Sequence, residues 1–313
     1  MAGFVLATEI FFRIFPGRIP TSVEFLARAR IYDFDRGLGV VLRPDVDVRV
    51  PLPNLGRTVR VATVSHGQPV GFRDNGFQGG LRIAILGDSY VFGYGVDQDE
   101  AFPAQLERKL RASGRTVDII NAGVPGYGAR LERIFLDRYV LPLRPAVVLV
   151  AVFENDFSDN VYYAHRRFGA VRTFLGLHSV VYDLLSAAWG MRGSATQTGR
   201  NDHRDRQVGE KNRPSQGYLI EQEEIARMSE KCRADGVRFG VILLPATPSL
   251  DPRRVVGNRA DIPVLDLASR FDALPPLRYL NLYVGHLTPE ANGWVADEVA
   301  DFIKRRDLLT GVH

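Results

Sequence analysis

The sequence predicts an α/β fold, a three-layer α/β/α sandwich with a central parallel sheet of about five strands. Three observations lead to this prediction. From residue 81 onward, short aliphatic runs alternate with longer segments of helical periodicity. Loops rich in Gly, Asn and Asp follow several of those runs. Hydrophobic residues make up 45% of the 313 residues and charged residues 24%, which is enough apolar material to fill a core.

The alternation of the two patterns assigns each element in turn. A strand that is separated from the next strand by a helix runs parallel to it, because the helix crosses back over the sheet. The aliphatic runs that we interpret as strands are 81–86, 117–120, 146–153, 237–244 and 263–267. The segments with helical periodicity are 102–112, 129–141, 217–235 and 289–306.

The chain is predicted to have two parts. Residues 1–80 form an N-terminal helix and an extended arm that packs on the main domain, since this part is rich in Pro, Gly, Arg and Val. Residues 81–313 form the main domain, with an insertion at about 157–216. In the N-terminal helix, Glu9 and Arg13 interrupt an apolar segment that is too short to span a bilayer. Such a helix docks on its own domain or makes a peripheral membrane contact, and we favour docking.

Composition argues against several classes of function. The formal net charge of +4 is small and its arginines are scattered, so we expect no nucleic-acid partner. Cys232 is the only cysteine, which excludes an intramolecular disulfide and a multi-cysteine zinc site. The six histidines are dispersed and no GxxxxGK[ST] motif occurs, so we expect neither a metal nor a cofactor. No signal peptide is indicated, and the compartment stays open between the cytoplasm and a membrane-associated or periplasmic location.

The first candidate site follows the first predicted strand of the main domain. Gly87, Asp88 and Ser89 come directly after the aliphatic run 81–86 and before a glycine-rich loop. A serine at this junction lies at the carboxyl edge of the sheet, where ligands bind in open α/β folds. Serine is a weak nucleophile until a base accepts its proton and N–H donors hold the oxyanion.

Three further segments follow strand ends or precede a helix, and they supply those partners. The segment 121–128 holds three glycines and a proline, which permit backbone amides to turn toward a ligand. Asn155 and Asp156 follow the third predicted strand and place an amide side chain at the same edge. His286 comes just before the last helix, with Thr288 as its predicted N-cap.

In this order, the four segments resemble the SGNH (GDSL-type) hydrolase family, in a bacterial subgroup. Gly87, Asp88 and Ser89 match its nucleophile block and Gly126 its glycine block. The pair Asn155 and Asp156 matches its asparagine block, and His286 matches its histidine block. The similarity covers about residues 70–156 and 237–306. It implies a flavodoxin-like α/β/α sandwich.

The resemblance also implies a chemistry. Ser89 is expected to attack an ester carbonyl, while His286 takes its proton and returns it to the leaving alcohol. The backbone amides of Ser89 and Gly126 and the side-chain amide of Asn155 are expected to bind the oxyanion, with Asp88 in support. The implied activity is that of a serine esterase acting on short acyl groups, acetyl included, of small-molecule, carbohydrate or cell-envelope glycan esters.

One position departs from the family pattern. The family places an aspartate two or three residues before its histidine to orient the ring, and here those positions hold Val284 and Tyr283. The acid member of the triad is therefore unknown. The candidates for the orienting group are a backbone carbonyl, Asn281, or an acid from elsewhere in the chain, such as the insertion 157–216.

Two alternatives stay open, and the departure motivates the second of them. The same Ser–His pair would pass an acyl group to a sugar in an envelope polysaccharide O-acyltransferase or an acyl-handling protein. A chain that has lost hydrolysis would be a non-catalytic glycan-binding protein on the same fold.

Overall fold

The centre of the molecule is a five-stranded parallel sheet. The computed structural model describes residues 2–15, 30–52, 55–163, 170–182, 185, 214–245, 250–275 and 283–310. The strands of the sheet are β5 (Leu81–Gly87), β6 (Val117–Gly123), β7 (Val147–Val152), β8 (Arg238–Leu243) and β9 (Val264–Asp266). They lie in the order β6-β5-β7-β8-β9. Every residue of β6 and β7 is buried, as expected for parallel strands that are covered on both faces. The predicted α/β sandwich with a five-stranded parallel sheet is confirmed.

Helices connect these strands at nearly the predicted places. Those of the main domain are α2 (Ser89–Phe92), α3 (Phe102–Ala112), α4 (Ala129–Phe135), α5 (Asn155–Tyr163), α6 (Ala170–His178), α7 (Pro214–Ala234), α8 (Pro252–Val256), α9 (Ala268–Asp272) and α10 (Pro289–Arg305). The helix predicted over 129–141 is α-helical only to Phe135. It continues as a π turn and then a 3₁₀ turn that contains Pro142, whose ring removes a backbone donor.

Strand β6 is longer than predicted, since residues 121–123 belong to the strand rather than to the loop after it. The side chain of Asn121 explains the extension, because its Nδ2 donates to the Val91 carbonyl and its Oδ1 accepts from the Gly123 N–H, each at 3.0 Å. A Cβ at Gly123 would lie 2.2 Å from the Phe92 nitrogen. Glycine is therefore required where β6 passes the short helix that begins at Ser89.

The arm before the sheet contains two antiparallel hairpins. They are β1 (Tyr32–Asp35) with β2 (Gly39–Leu42), and β3 (Asp47–Leu52) with β4 (Arg57–Ala62). The first hairpin was not predicted. Its turn is closed by the Asp35 carboxylate, which accepts the N–H groups of Gly37 and Leu38 at 2.7 and 2.8 Å. The inward side chains of both hairpins join the hydrophobic core of the main sheet.

The N-terminal helix α1 (Ala2–Ile14) contacts the segment that follows α6. The Glu9 carboxylate accepts N–H groups from Val180 and Val181 at 3.0 and 3.1 Å, and Arg13 donates to the His178 carbonyl. Within the described residues, no helix combines the length and the apolar character that a membrane crossing needs. The later part of the predicted insertion, 192–214, is rich in polar residues. It lies outside the described residues except for Pro214, the first residue of α7.

Candidate active site

The site lies where the strand order of the sheet reverses. From β5 the chain passes to β6 on one side, and from β6 it crosses to β7 on the other side of β5. Open parallel sheets bind ligands at the carboxyl ends of the strands that flank such a reversal. Ser89 follows β5 and Asn155 begins the helix after β7, so the topology alone brings these two predicted residues to one crevice.

Ser89 is the first residue of α2, and Asp88 caps this short helix. The Asp88 carboxylate accepts the Tyr90 N–H at 2.9 Å, which fixes the turn between strand and helix. Burial raises the pKa of Asp88 above its ordinary value, although the N–H of Tyr90 and the Asn155 amide favour its charged form. Ser89 is only 8% exposed, so its side chain has little contact with water.

His286 meets Ser89 across a sequence separation of almost 200 residues. Its Nε2 lies 3.0 Å from Ser89 Oγ, within hydrogen-bond distance. The histidine lies in β11 (His286–Leu287), which pairs with β10 (Tyr283–Val284), and Thr288 then caps α10 as predicted. Burial lowers the pKa of His286 from 6.5 to about 4. The ring is therefore neutral at pH 7, and its Nε2 is able to accept the serine proton.

Two tyrosines that the sequence argument did not single out hold the imidazole in place. The rings of Tyr90 and Tyr94 lie 4.9 and 4.8 Å from the His286 ring, measured between centroids. The Tyr90 hydroxyl also donates to the Gly285 carbonyl at 3.1 Å, next to the histidine. Because Tyr90 follows Ser89 directly, the short helix that carries the serine also positions the histidine.

No carboxylate orients the histidine in the part of the chain that the structure describes. There, Ser89 Oγ is the one hydrogen-bond partner of the His286 ring, and burial is the one cause of its lowered pKa. Asn281, one candidate for the orienting group, lies outside the described residues. The described arrangement is a Ser–His pair rather than a triad.

Asn155 and Ser89 contact the same carboxylate oxygen. Its Nδ2 is 3.0 Å from Asp88 Oδ2, and the same oxygen is 3.4 Å from Ser89 Oγ. Asp159, one helical turn further along α5, accepts from the same Nδ2 at 3.0 Å. The predicted amide donor is thus brought to the serine, and two carboxylates hold it there.

Gly126 lies in the turn after β6. This loop is tied to the serine strand, because the Val124 N–H donates to the Gly87 carbonyl at 3.0 Å. Gly126 has φ +83°, a left-handed conformation that favours glycine. The structure therefore brings the glycine loop beside the strand end that carries Ser89.

The sequence of this region matches a known family. Residues 85–294 match the GDSL-like lipase/acylhydrolase family, which is about two thirds of the chain. The chain belongs to this family. The prediction of a hydrolase that acts on carboxylic ester bonds is confirmed at the level of the family.

Three solved structures to which this family member is similar are distant from it in sequence. A lipase/acylhydrolase from Enterococcus faecalis is 16% identical, with a TM-score of 0.45 over 72% of this chain and 96% of that one. The esterase EstA from a Pseudoalteromonas species is 17% identical, with a TM-score of 0.41 over 72% and 97%. The acetyl xylan esterase AlAXEase is 15% identical, with a TM-score of 0.42 over 71% and 98%. A search of curated proteins gave no significant match.

Beneath the site, this GDSL-like chain buries a cluster of carboxyl groups that the sequence argument missed. Its members come from the end of β5 and from α4, α5 and α7: Asp88, Glu132, Asp156, Asp159 and Glu221. One oxygen each of Glu132, Asp156 and Glu221 has no hydrogen-bond partner among the described residues. Burial, and then the neighbouring carboxylates, raise the pKa of Glu132 and of Asp156 well above their ordinary values.

These acids lie at the end of β5 and on three helices that are well separated in sequence, and no local motif links all five. Only Asp156 and Asp159, three residues apart on α5, carry a local signal, since such a spacing places two side chains on one helical face. In the described ranges, no three His, Cys, Asp or Glu side chains are arranged to hold a metal ion.

Proposed function

We propose that this chain is a serine esterase in which Ser89 is the nucleophile and His286 the general base. The observation that carries the proposal is the 3.0 Å contact between Ser89 Oγ and His286 Nε2. The lowered pKa of His286 supports it, since a neutral imidazole is needed to accept a proton at pH 7.

The reaction proceeds in two balanced halves. His286 Nε2 takes the Ser89 proton as Oγ attacks the ester carbonyl carbon, and the tetrahedral intermediate collapses when the imidazolium gives that proton to the leaving alcohol. Water then repeats the sequence on the acyl-serine and releases the acid. The amides of Ser89 and Gly126 and the side chain of Asn155 donate to the oxyanion, and Asp88 supports Asn155.

The proposed substrates are esters of short acyl groups, acetyl included, on small molecules or on carbohydrate and cell-envelope glycans. The match to the lipase/acylhydrolase family supports an ester substrate. We test it by comparing p-nitrophenyl acetate, butyrate and decanoate, and acetylated xylan, under identical conditions. A preference for decanoate would contradict the short acyl group, and no acetate release from xylan would contradict the glycan.

The decisive test of the mechanism uses two variants. Ser89→Ala and His286→Ala are each expected to lower kcat for p-nitrophenyl acetate by about 10³-fold or more, because they remove the nucleophile or its base. Ser113→Ala serves as the matched control, since the Ser113 hydroxyl donates to the Leu110 carbonyl at the end of α3, away from the site. Equal turnover by the wild type and both site variants would exclude the serine mechanism.

Covalent labelling separates the esterase from a non-catalytic glycan-binding protein. A fluorophosphonate probe is expected to modify Ser89 in the wild type and not in Ser89→Ala, because only an activated serine reacts at a useful rate. If the wild type stays unlabelled while it remains folded, the serine is not activated. Rapid transfer of acetyl to an added sugar, with little hydrolysis, would indicate an acyltransferase instead.

A further inference from the structure

The side-chain amide of Asn155 is unusual because both of its N–H groups donate to carboxylates. Its Nδ2 donates at 3.0 Å to Asp88 Oδ2 and at 3.0 Å to Asp159 Oδ2. A carboxamide nitrogen carries two hydrogens, so both are used in this arrangement. The reversed amide would place Oδ1 against two acceptor oxygens, which is repulsive. The orientation of the amide is therefore set by the two acids.

The two carboxylates have different tasks. Asp88 is fixed at the end of β5, since it also caps α2 through the Tyr90 N–H and contacts Ser89 Oγ. Asp159 lies four residues after Asn155 on α5, where side chains face each other, and it is 6% exposed. Asp159 therefore holds the hydrogen that points away from the serine. The hydrogen on Asp88 is the one beside the nucleophile.

We propose that Asp159 is a positioning residue that presents the Asn155 amide to the oxyanion. By accepting one hydrogen of Nδ2, Asp159 keeps the other on the side of Ser89, where it passes from Asp88 Oδ2 to the developing oxyanion. A hydrogen-bond donor that already points at the oxyanion position needs no reorganisation in the transition state. Such preorganised donors contribute strongly to the rate. The inference rests on the proposed function, in which Asn155 donates to the oxyanion.

A double-mutant cycle tests the inference. We compare the wild type, Asp159→Ala, Asn155→Ala and the double variant in hydrolysis of p-nitrophenyl acetate. Asn155→Ala is expected to lower kcat by about 10²–10³-fold. Asp159→Ala is expected to lower kcat by about tenfold with KM unchanged, because an oxyanion donor acts only in the transition state. The double variant should match Asn155→Ala, since positioning of the amide has no effect on kcat once the amide is gone.

Three further variants separate positioning from general damage to α5. Asp159→Asn keeps an acceptor oxygen of the same reach and should retain kcat within about threefold of the wild type. Asp159→Ser, which is too short to reach Asn155, replaces the alanine variant if that one fails to fold. Ser158→Ala is the matched control, because the Ser158 hydroxyl donates to the Asn155 backbone carbonyl at 2.8 Å and not to its side-chain amide.

Four other outcomes would each contradict one part of the proposal. If Asn155→Ala is slow while Asp159→Ala and Asp159→Ser are as fast as the wild type, Asp159 does not position the amide. The same holds if the losses of Asp159→Ala and Asn155→Ala multiply in the double variant. If Asn155→Ala is as fast as the wild type while Ser89→Ala is inactive, the amide donor and this inference both fail, but the serine mechanism stands. Full activity of Ser89→Ala would contradict the proposed function itself.

Discussion

At the scale of the residue, the most unusual group in the site is His286. Its imidazole packs against the rings of Tyr90 and Tyr94, and no carboxylate in the described residues reaches it. A buried imidazole without a counter-charge resists protonation, because burial penalises its charged form. The pKa of about 4 follows from that burial. Such a base stays available in acidic solution, but it draws the serine proton less strongly than the base of a triad.

This arrangement predicts an unusual pH profile. The imidazole accepts the serine proton only when it is neutral, so kcat/KM should fall as the pH drops through about 4 and stay level above it. Tyr283→Asp places a carboxylate three residues before His286, where the family carries its aspartate. An opposite charge favours the imidazolium, so the variant should move the acidic limb upward and raise kcat at pH 8.

The measurement is the initial rate of ester hydrolysis between pH 3.5 and 9. Tyr283→Asn is the matched control, since it has the same size as the aspartate without the charge, and its acidic limb should stay where the wild type has it. An acidic limb above pH 6 in the wild type would contradict the lowered pKa of His286.

At the scale of the element, Arg73 fixes the loop that carries Tyr94. The guanidinium is fully buried, and it donates to the carbonyls of Phe92, Gly93 and Val96 at 2.6 to 2.8 Å. It also donates to the Arg60 carbonyl on β4 and to the Gln98 side chain. Burial lowers the pKa of Arg73 to about 10, so it stays charged at neutral pH. One side chain thus ties the arm to the loop that packs against His286.

Replacing this arginine tests the tie. Arg73→Lys is expected to lower the free energy of unfolding by about 2–4 kcal/mol, because three donors at one point leave buried acceptors unpaired. It should also lower kcat, since Tyr94 loses its fixed position beside His286. Urea titration measures the first effect and ester hydrolysis the second. Arg108→Lys is the control, because exposed Arg108 makes one bond to the Asp99 carbonyl. Equal stability of Arg73→Lys and the wild type would show that the hydrogen bonds of Arg73 do not stabilise this loop.

Some residues and elements of the site were predictable from the sequence and others were not. Ser89 and Asn155 were predictable because each lies in a short motif at the end of an aliphatic run, and parallel topology brings such ends together. Tyr90 and Asp159 were missed because their roles depend on how side chains meet after folding. The first hairpin was missed although Asp35 closes its turn, since four-residue strands carry little periodicity.

At the scale of the whole molecule, the buried carboxyl cluster joins elements that are far apart in the chain. Glu132 on α4, Asp156 on α5 and Glu221 on α7 all lie against one another, and α7 packs on both of the other helices. Glu221 accepts from Asn160 Nδ2 at 2.6 Å, yet burial still raises its pKa from 4.5 to about 7. The folded chain is most stable while these carboxyl groups are protonated, because burial and mutual repulsion disfavour their ionised forms.

The last prediction follows from the sign of these shifts. A carboxyl with a raised pKa binds its proton more tightly in the folded chain, so its contribution to stability is present below pH 4.5 and is lost as the pH rises through about 7. For Glu221 the loss amounts to about 3 kcal/mol. Glu221→Gln cannot ionise and still accepts from Asn160, so its free energy of unfolding should fall less between pH 5 and pH 8. Urea titrations at both values measure the difference. Glu223→Gln, on the exposed face of the same helix, is the control and should keep the wild-type pH dependence. If the free energy of unfolding falls equally with pH in Glu221→Gln and the wild type, Glu221 is ionised in the folded chain at pH 5.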